Sequence, residues 1–300
     1  MARKRNNQDR LAAPGPVSDD SSVAAAAEIV KSKGGGGKEG LLSFVMPTEF
    51  VELPSRGKFY TKDHPLHNKD VVEIRFMTAK HEDILTSPTL LRKGIAVDRL
   101  IEDLIIDREY DIDSLLIGDK NAITIAARST GYGPKYSVNM SCPSCSVTQI
   151  QEFDLQELKN SFPEEEDLKD LNIVSTERGT FMVTLPVTGV EVELKLLTGK
   201  DDKDIENYKK MLKKHAGDDT GIGLSDQLKQ MIVAANGETD RSILEQFVDR
   251  MPAMDSKFIR INYAAVMPNV NMKQDFKCKS CGYEEEVDVP LTAEFFWPSR

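Results

Sequence analysis

Four cysteines fall in two pairs, Cys142-Pro-Ser-Cys145 and Cys278-Lys-Ser-Cys281. Each CxxC can turn two thiolates toward one point, which fills half of a tetrahedral zinc shell. Two such halves complete it, and four thiolates leave no open position for water or substrate. The expectation is therefore one structural zinc per chain, held by Cys142, Cys145, Cys278 and Cys281. So few cysteines in 300 residues cannot form a disulfide framework, and the paired spacing favours metal. Two alternatives stay open: reduced thiols on two separated hairpins, and a pair that has lost its metal. A thioredoxin-like redox role fits poorly, because neither CxxC opens a helix after a strand.

The flanking residues say what must position the sulfurs. KYSVNM precedes the first pair and SVTQIQEFDL follows it; VNMKQDFK and GYEEEVDVPL flank the second. Alternation on all four arms predicts that each CxxC tips a β-hairpin, the form of a zinc ribbon. The 132 residues between the pairs are a long insertion for a compact ribbon. A duplication accounts for them. LPSRG at Leu53 to Gly57 and VEIRFMTAKHEDI at Val72 to Ile84 have counterparts in LPVTG at Leu185 to Gly189 and VELKLLTGKDDKDI at Val192 to Ile205. Asp119 and Asp255, Cys142 and Cys278, and Cys145 and Cys281 are each separated by 136 positions. Helical spacing over Gly94 to Asp107 and over Gly221 to Ala235 predicts one helix in each half, with another beginning near Asp111 and near Asp240.

The expected fold is thus α+β: two related units of hairpin plus helices, each ending in a CxxC knuckle, joined as a long-insertion zinc ribbon. The boundaries expected are a disordered tail over 1–40, a first unit over 41–160 and a second over 161–300. The tail joins a basic start to Ala24–Ala27 and Gly34–Gly37 with almost no large apolar residue, so burial cannot offset its ordering entropy. PEEEDLKD at Pro163 to Asp170 reads as a solvated linker, and KKMLKK at Lys209 to Lys214 as a solvated helix face. The closing TAEFFWPSR holds Phe295, Phe296 and Trp297, which must dock into the core or anchor a partner.

Charge and missing motifs narrow the function. The net charge of −10, and −12 beyond residue 40, weighs against nucleic acid as a partner, since phosphate binding needs clustered Lys and Arg. No apolar run reaches membrane-spanning length and no signal-peptide core follows the start, which points to a chain made and kept in a cytoplasm. None of the four histidines, His64, His67, His81 and His215, has an evident nucleophile partner, and GxSxG, HExxH and phosphate-cradling loops are missing. The expectation is a protein that is not an enzyme and takes no small-molecule substrate.

ELPSRGKFY at Glu52 to Tyr60, VVEIRFMTAKHEDIL, DIDSLLIGDKNAITIAARSTGYGPKY at Asp111 to Tyr136, the CPSC that follows and the closing LTAEFFWP together resemble baseplate hub proteins of T-even-like contractile-tailed phages. That family holds hub subunits and chaperones of hub assembly. The resemblance implies a non-enzymatic structural or assembly protein that binds other baseplate and tail proteins, in the virion or in the host cytoplasm during assembly. Leu53 to Tyr60 and Phe295 to Trp297 are the contact residues expected. The alternative is a zinc-ribbon nucleic-acid-binding or transcription-associated protein whose basic arm touches phosphate.

Overall fold

The computed structural model describes residues 46–216, 223–290 and 293–296, and Thr48–Arg300 form one unit by their contacts. The tail expected over 1–40 lies outside the described residues.

The chain enters through β1 (Thr48–Glu52), which pairs antiparallel with β2 (Val71–Arg75). Helices α1 (Ala79–Thr86), α2 (Pro88–Lys93) and α3 (Ala96–Leu104) follow. Spacing explains the last of these: Ala96, Leu100, Ile101 and Leu104 recur on one face and are all buried, each leucine contributing roughly 2 kcal/mol. The helix expected near Asp111 is only a 3-10 turn, Ile112–Ser114. Tertiary contacts draw the chain out of the helix there: the Leu116 amide donates to the Tyr60 hydroxyl (3.0 Å) and the Gly199 amide to the Leu115 carbonyl (2.8 Å). Helix α4 (Ile117–Tyr132) then leads into the β3 (Lys135–Ser141) and β4 (Thr148–Asp154) hairpin.

After β5 (Lys159–Ser161), the segment read as a solvated linker forms a short helix, α5 (Glu165–Asp170), because Leu168 is buried. Strands β6 (Val174–Ser175), β7 (Thr180–Thr184), β8 (Glu191–Lys195) and β9 (Ile232–Ala235) make the one four-stranded sheet among the described residues, in the order β6-β7-β8-β9. Between β8 and β9 lie α6 (Gly199–Ala216) and α7 (Leu224–Met231). The helix expected to run to Ala235 therefore stops at Met231, and Ile232 to Ala235 become an edge strand on β8. Pairing with β8 outweighs the helical spacing of that stretch. Next come α8 (Arg241–Asp249), whose N-cap Asp240 accepts from the amides of Ser242 and Ile243, and α9 (Ala253–Val266). Strand β10 (Asn269–Asn271) pairs with β5, and β11 (Lys273–Lys277) with β12 (Glu284–Asp288). A 3-10 turn, Ala293–Phe296, follows.

Two buried carboxylates organise this frame. Asp119, in the first turn of α4, accepts from the Ser55 amide (2.9 Å), the Ser55 hydroxyl (2.6 Å) and the Tyr60 hydroxyl (2.7 Å). Asp255, in the first turn of α9, accepts from the amides of Val187 (2.9 Å) and Thr188 (3.1 Å) and from the Thr188 hydroxyl (2.8 Å). Each carboxylate thus grips the LPxxG turn of its own half, and each sits where the positive end of a helix favours negative charge. One apolar core runs from Val51 and Leu53 through Ile123, Phe181 and Leu194 to Val289 and Phe296.

The expected contact stretch Leu53 to Tyr60 is corrected by this arrangement. Leu53, Pro54, Ser55, Gly57 and Tyr60 are buried, and only Arg56 and Lys58 are exposed, because the turn is the object Asp119 holds. Phe295 and Phe296 are likewise buried, Phe295 edge-on to Tyr136 at 5.1 Å between ring centroids. Trp297 lies outside the described residues.

Candidate metal centre

The two CxxC turns occupy the tips of the β3–β4 and β11–β12 hairpins. Within each tip the backbone folds back on the first cysteine. The Cys142 amide donates to the Val147 carbonyl (3.0 Å) and the Ser146 amide to the Cys142 carbonyl (2.9 Å). In the other tip the Cys278 amide donates to Tyr283 (2.8 Å) and the Gly282 amide to Cys278 (3.0 Å). The residue after each second cysteine is left-handed, Ser146 at φ 59° and Gly282 at φ 73°.

The tips meet. The four Sγ atoms all lie within 4.8 Å of one another, and the two contacts across the hairpins, Cys142 to Cys281 and Cys145 to Cys278, are each 3.7 Å. All four cysteines are free thiols. Those contacts are far beyond the roughly 2.05 Å of a sulfur–sulfur bond. They match the edge of about 3.8 Å that four sulfurs make around zinc at about 2.3 Å. Cys142 and Cys278 are buried against Phe276, Cys145 is half-buried and Cys281 is exposed, so the cluster sits at the rim of the molecule.

Electrostatics agree with the geometry. The amide of Cys281, with that of Ser280, favours the Cys278 thiolate and brings its pKa down to about 6. The Val147 amide favours the Cys145 thiolate as well, yet burial and the three neighbouring sulfurs push that pKa up to about 12. Four sulfurs at this spacing cannot all be negative unless a cation shares the space.

Glutamines that the sequence reading passed over hold the hairpins together. Gln149 of β4 donates to the Lys277 carbonyl (2.8 Å) and accepts from the Lys279 amide (2.8 Å). Gln274 of β11 reciprocates: its amide group donates to the Asp154 carbonyl and accepts from the Asp154 amide (3.1 Å). The signal was the polar face of each alternating strand, which reads equally well as solvent-facing. Behind the hairpins, the buried Arg128 donates to the carbonyls of Phe295 (2.7 Å), Gly133 (2.8 Å) and Lys135 (3.3 Å), tying α4 to the start of β3 and to the last 3-10 turn.

The histidines have structural partners. His81 closes the α1 N-terminus, its Nδ1 accepting from the Thr78 amide (2.9 Å) and its Nε2 facing Asp103 (3.0 Å). His67 Nδ1 lies 2.7 Å from the Tyr60 carbonyl. His64 Nε2 lies 2.8 Å from the Ser114 hydroxyl, a pair the sequence could not show. That serine is not activated. His64 Nδ1 accepts from the Leu66 amide (3.1 Å), so the ring proton sits on Nε2 and points at Ser114, whose own proton goes to the Asp111 carbonyl (2.6 Å). A general base needs the opposite arrangement. The side chain of His215 lies outside the described residues.

Fold and site define a mixed α+β protein whose built site is a cluster of four sulfurs at the meeting of two hairpins. Residues 46–297 match the model of a family described as T4 bacteriophage base plate protein, and the chain belongs to that family. No curated protein and no solved structure matches the chain. Membership makes it a structural protein of a phage baseplate and implies contact with other tail proteins. No helix among the described residues is long and apolar enough to cross a membrane.

Proposed function

We propose that this chain is a zinc-braced part of the baseplate hub, or of the machinery that assembles it, and that it works by presenting rigid surfaces to other tail proteins. One observation carries the reading: four sulfurs from hairpins more than 130 positions apart lie at the spacing of a tetrahedral thiolate shell. Cys142, Cys145, Cys278 and Cys281 are the ligands, the ion is structural, and it locks two related units, 41–160 and 161–300, into one body.

Support for the two units comes from paired details. Asp119 and Asp255 grip corresponding turns, and Thr78 and Thr198 each open a helix with a side chain three residues on, His81 and Asp201, accepting from the threonine amide. Strand pairing repeats as well: Thr48–Glu52 run against Arg75–Val71 as Thr180–Thr184 run against Lys195–Glu191. The nucleic-acid reading gains nothing from the surface, because Glu284, Glu285 and Glu286 are exposed beside the second knuckle and repel phosphate.

Co-expression with the other tail proteins, followed by size-exclusion chromatography, tests the assembly role. Co-elution with at least one of them is expected. A chain that elutes alone in every combination, while retaining about one zinc ion, would sink the assembly role and spare the metal.

A further inference from the structure

We propose that the free edge of β1 receives residues 41–45, Leu-Leu-Ser-Phe-Val, of a second copy of this chain, so that two copies exchange N-terminal strands. The inference goes beyond the metal reading and does not depend on it.

Strands β1–β2 and β7–β8 share one pairing register, which sets each residue of β1 132 positions before its counterpart in β7. The surroundings of the two strands differ at one place. The outer edge of β7 is covered by β6, Val174 pairing with Met182 and Ser175 with Phe181. Among the described residues no strand covers the outer edge of β1. A cavity of about 230 Å³ lies against β1 instead, lined by Phe50, Ala122, Ile125, Leu158 and Val270, and Phe50 is 67% exposed. The far end is closed off by the Asn160 side chain, which donates to the Glu52 carbonyl (3.1 Å). What remains open is a short strand edge beside a groove of mixed polar and apolar lining, the kind of surface to which an extended segment adds.

By the same register, the residues that correspond to β6 are Leu42 and Ser43, and the buried Ile173 before β6 corresponds to Leu41. Residues 41–45 therefore have the composition to cover this edge. They cannot reach their own β1 by the turn that returns β6 to β7. That turn depends on Gly179 at φ +74°, where an added Cβ would stand 2.1 Å from the Phe59 carbonyl oxygen. The residue in the corresponding place is Pro47, whose ring holds φ near about −65°. Pro47 thus disfavours that form of return turn within one copy, whereas the segment of a second copy needs no turn to lie on the edge. Reciprocal exchange between two copies covers both edges and closes the assembly.

Light scattering with size-exclusion chromatography, joined to hydrogen exchange of the Thr48 and Phe50 amides, which face away from β2, tests this in the full chain. A species of twice the chain mass with slow exchange is expected. Leu42→Asp should give a monomer with the same zinc content and with exchange at those amides roughly tenfold faster. Pro47→Gly frees the return turn and should give a monomer whose β1 amides stay protected. The proposal is overturned by a wild-type chain that is monomeric, by a dimer that survives Leu42→Asp, or by β1 amides that become protected only when another tail protein is added.

Discussion

Ser146 and Gly282 follow the second cysteine of their knuckles, and both hold a left-handed backbone, φ 59° and 73°. Glycine enters that region freely, whereas a residue with a Cβ is opposed by roughly 1–2 kcal/mol. Ser146→Gly relieves that strain but gives back part of the gain through a freer unfolded chain, leaving a net stabilisation of about 0.5–1 kcal/mol. In a chain of this size the melting temperature should rise by about 1–2 °C. Gly282→Ser should lower it at the otherwise equivalent site. Differential scanning calorimetry of the two variants at equal zinc content decides it, and a rise in both would mean the turn is not strained. At this scale the four cysteines that cluster were legible and their setting was not. Cys142, Cys145, Cys278 and Cys281 announce themselves by spacing, whereas Gln149 and Gln274 cross between hairpins only because the tips meet, which no local pattern encodes.

Three helices meet at Asp98 of α3, which faces Lys120 of α4 at 2.6 Å and Lys203 of α6 at 2.9 Å. Lys203 also reaches Asp113, so the cluster spans elements from both halves. Burial pushes the Asp98 pKa up, but hydrogen bonds and charge from the two lysines outweigh it and hold the carboxyl below its ordinary value. A carboxyl whose folded pKa is depressed stabilises the fold above its unfolded pKa, about 3.9, and that contribution fades as pH falls through the folded value. The Asp98 and Lys120 side chains are mostly buried and Lys203 is a third exposed. Asp98→Asn should therefore cost about 2 kcal/mol at pH 7, below the range for a fully buried pair that loses one member. The cost should begin to shrink as pH falls below about 3.9 and vanish only below the depressed folded value. Urea unfolding of both forms across that range measures it, and a cost independent of pH would remove the charge from the account. Elements were legible where packing follows local period, as in α3, whose buried face is its apolar stripe. They were not legible where a distant partner decides. Ile232 to Ala235 read as the end of a helix until β8 claims them as an edge strand, and the run after Asp111 loses its helix to contacts from Tyr60 and Gly199.

On the scale of the molecule, the offset of 136 positions shared by Asp119, Cys142 and Cys145 with their counterparts pointed to the meeting of two hairpins that no single segment could reveal. The core itself was invisible in that offset, since residues such as Phe181 and Leu194 are buried with others drawn from the whole length of the chain. The consequence for stability follows from loop closure. An ion shared by Cys142, Cys145, Cys278 and Cys281 would tie off a loop of 132 residues, and a cross-link across so long a loop stabilises by about 5 kcal/mol in the chain-entropy account. If all four sulfurs serve one ion, loss of any ligand forfeits the same closure. Cys142→Ser and Cys278→Ser should each release zinc and lower the melting temperature by on the order of 10 °C. The double variant should fall no further, because two changes in one shared site are not additive. A chelator should bring the wild-type chain to the same point and leave both variants unmoved. Separate sites, one per hairpin, would instead give two smaller losses that add, with half the metal retained in each single variant, and calorimetry beside metal analysis separates the two results.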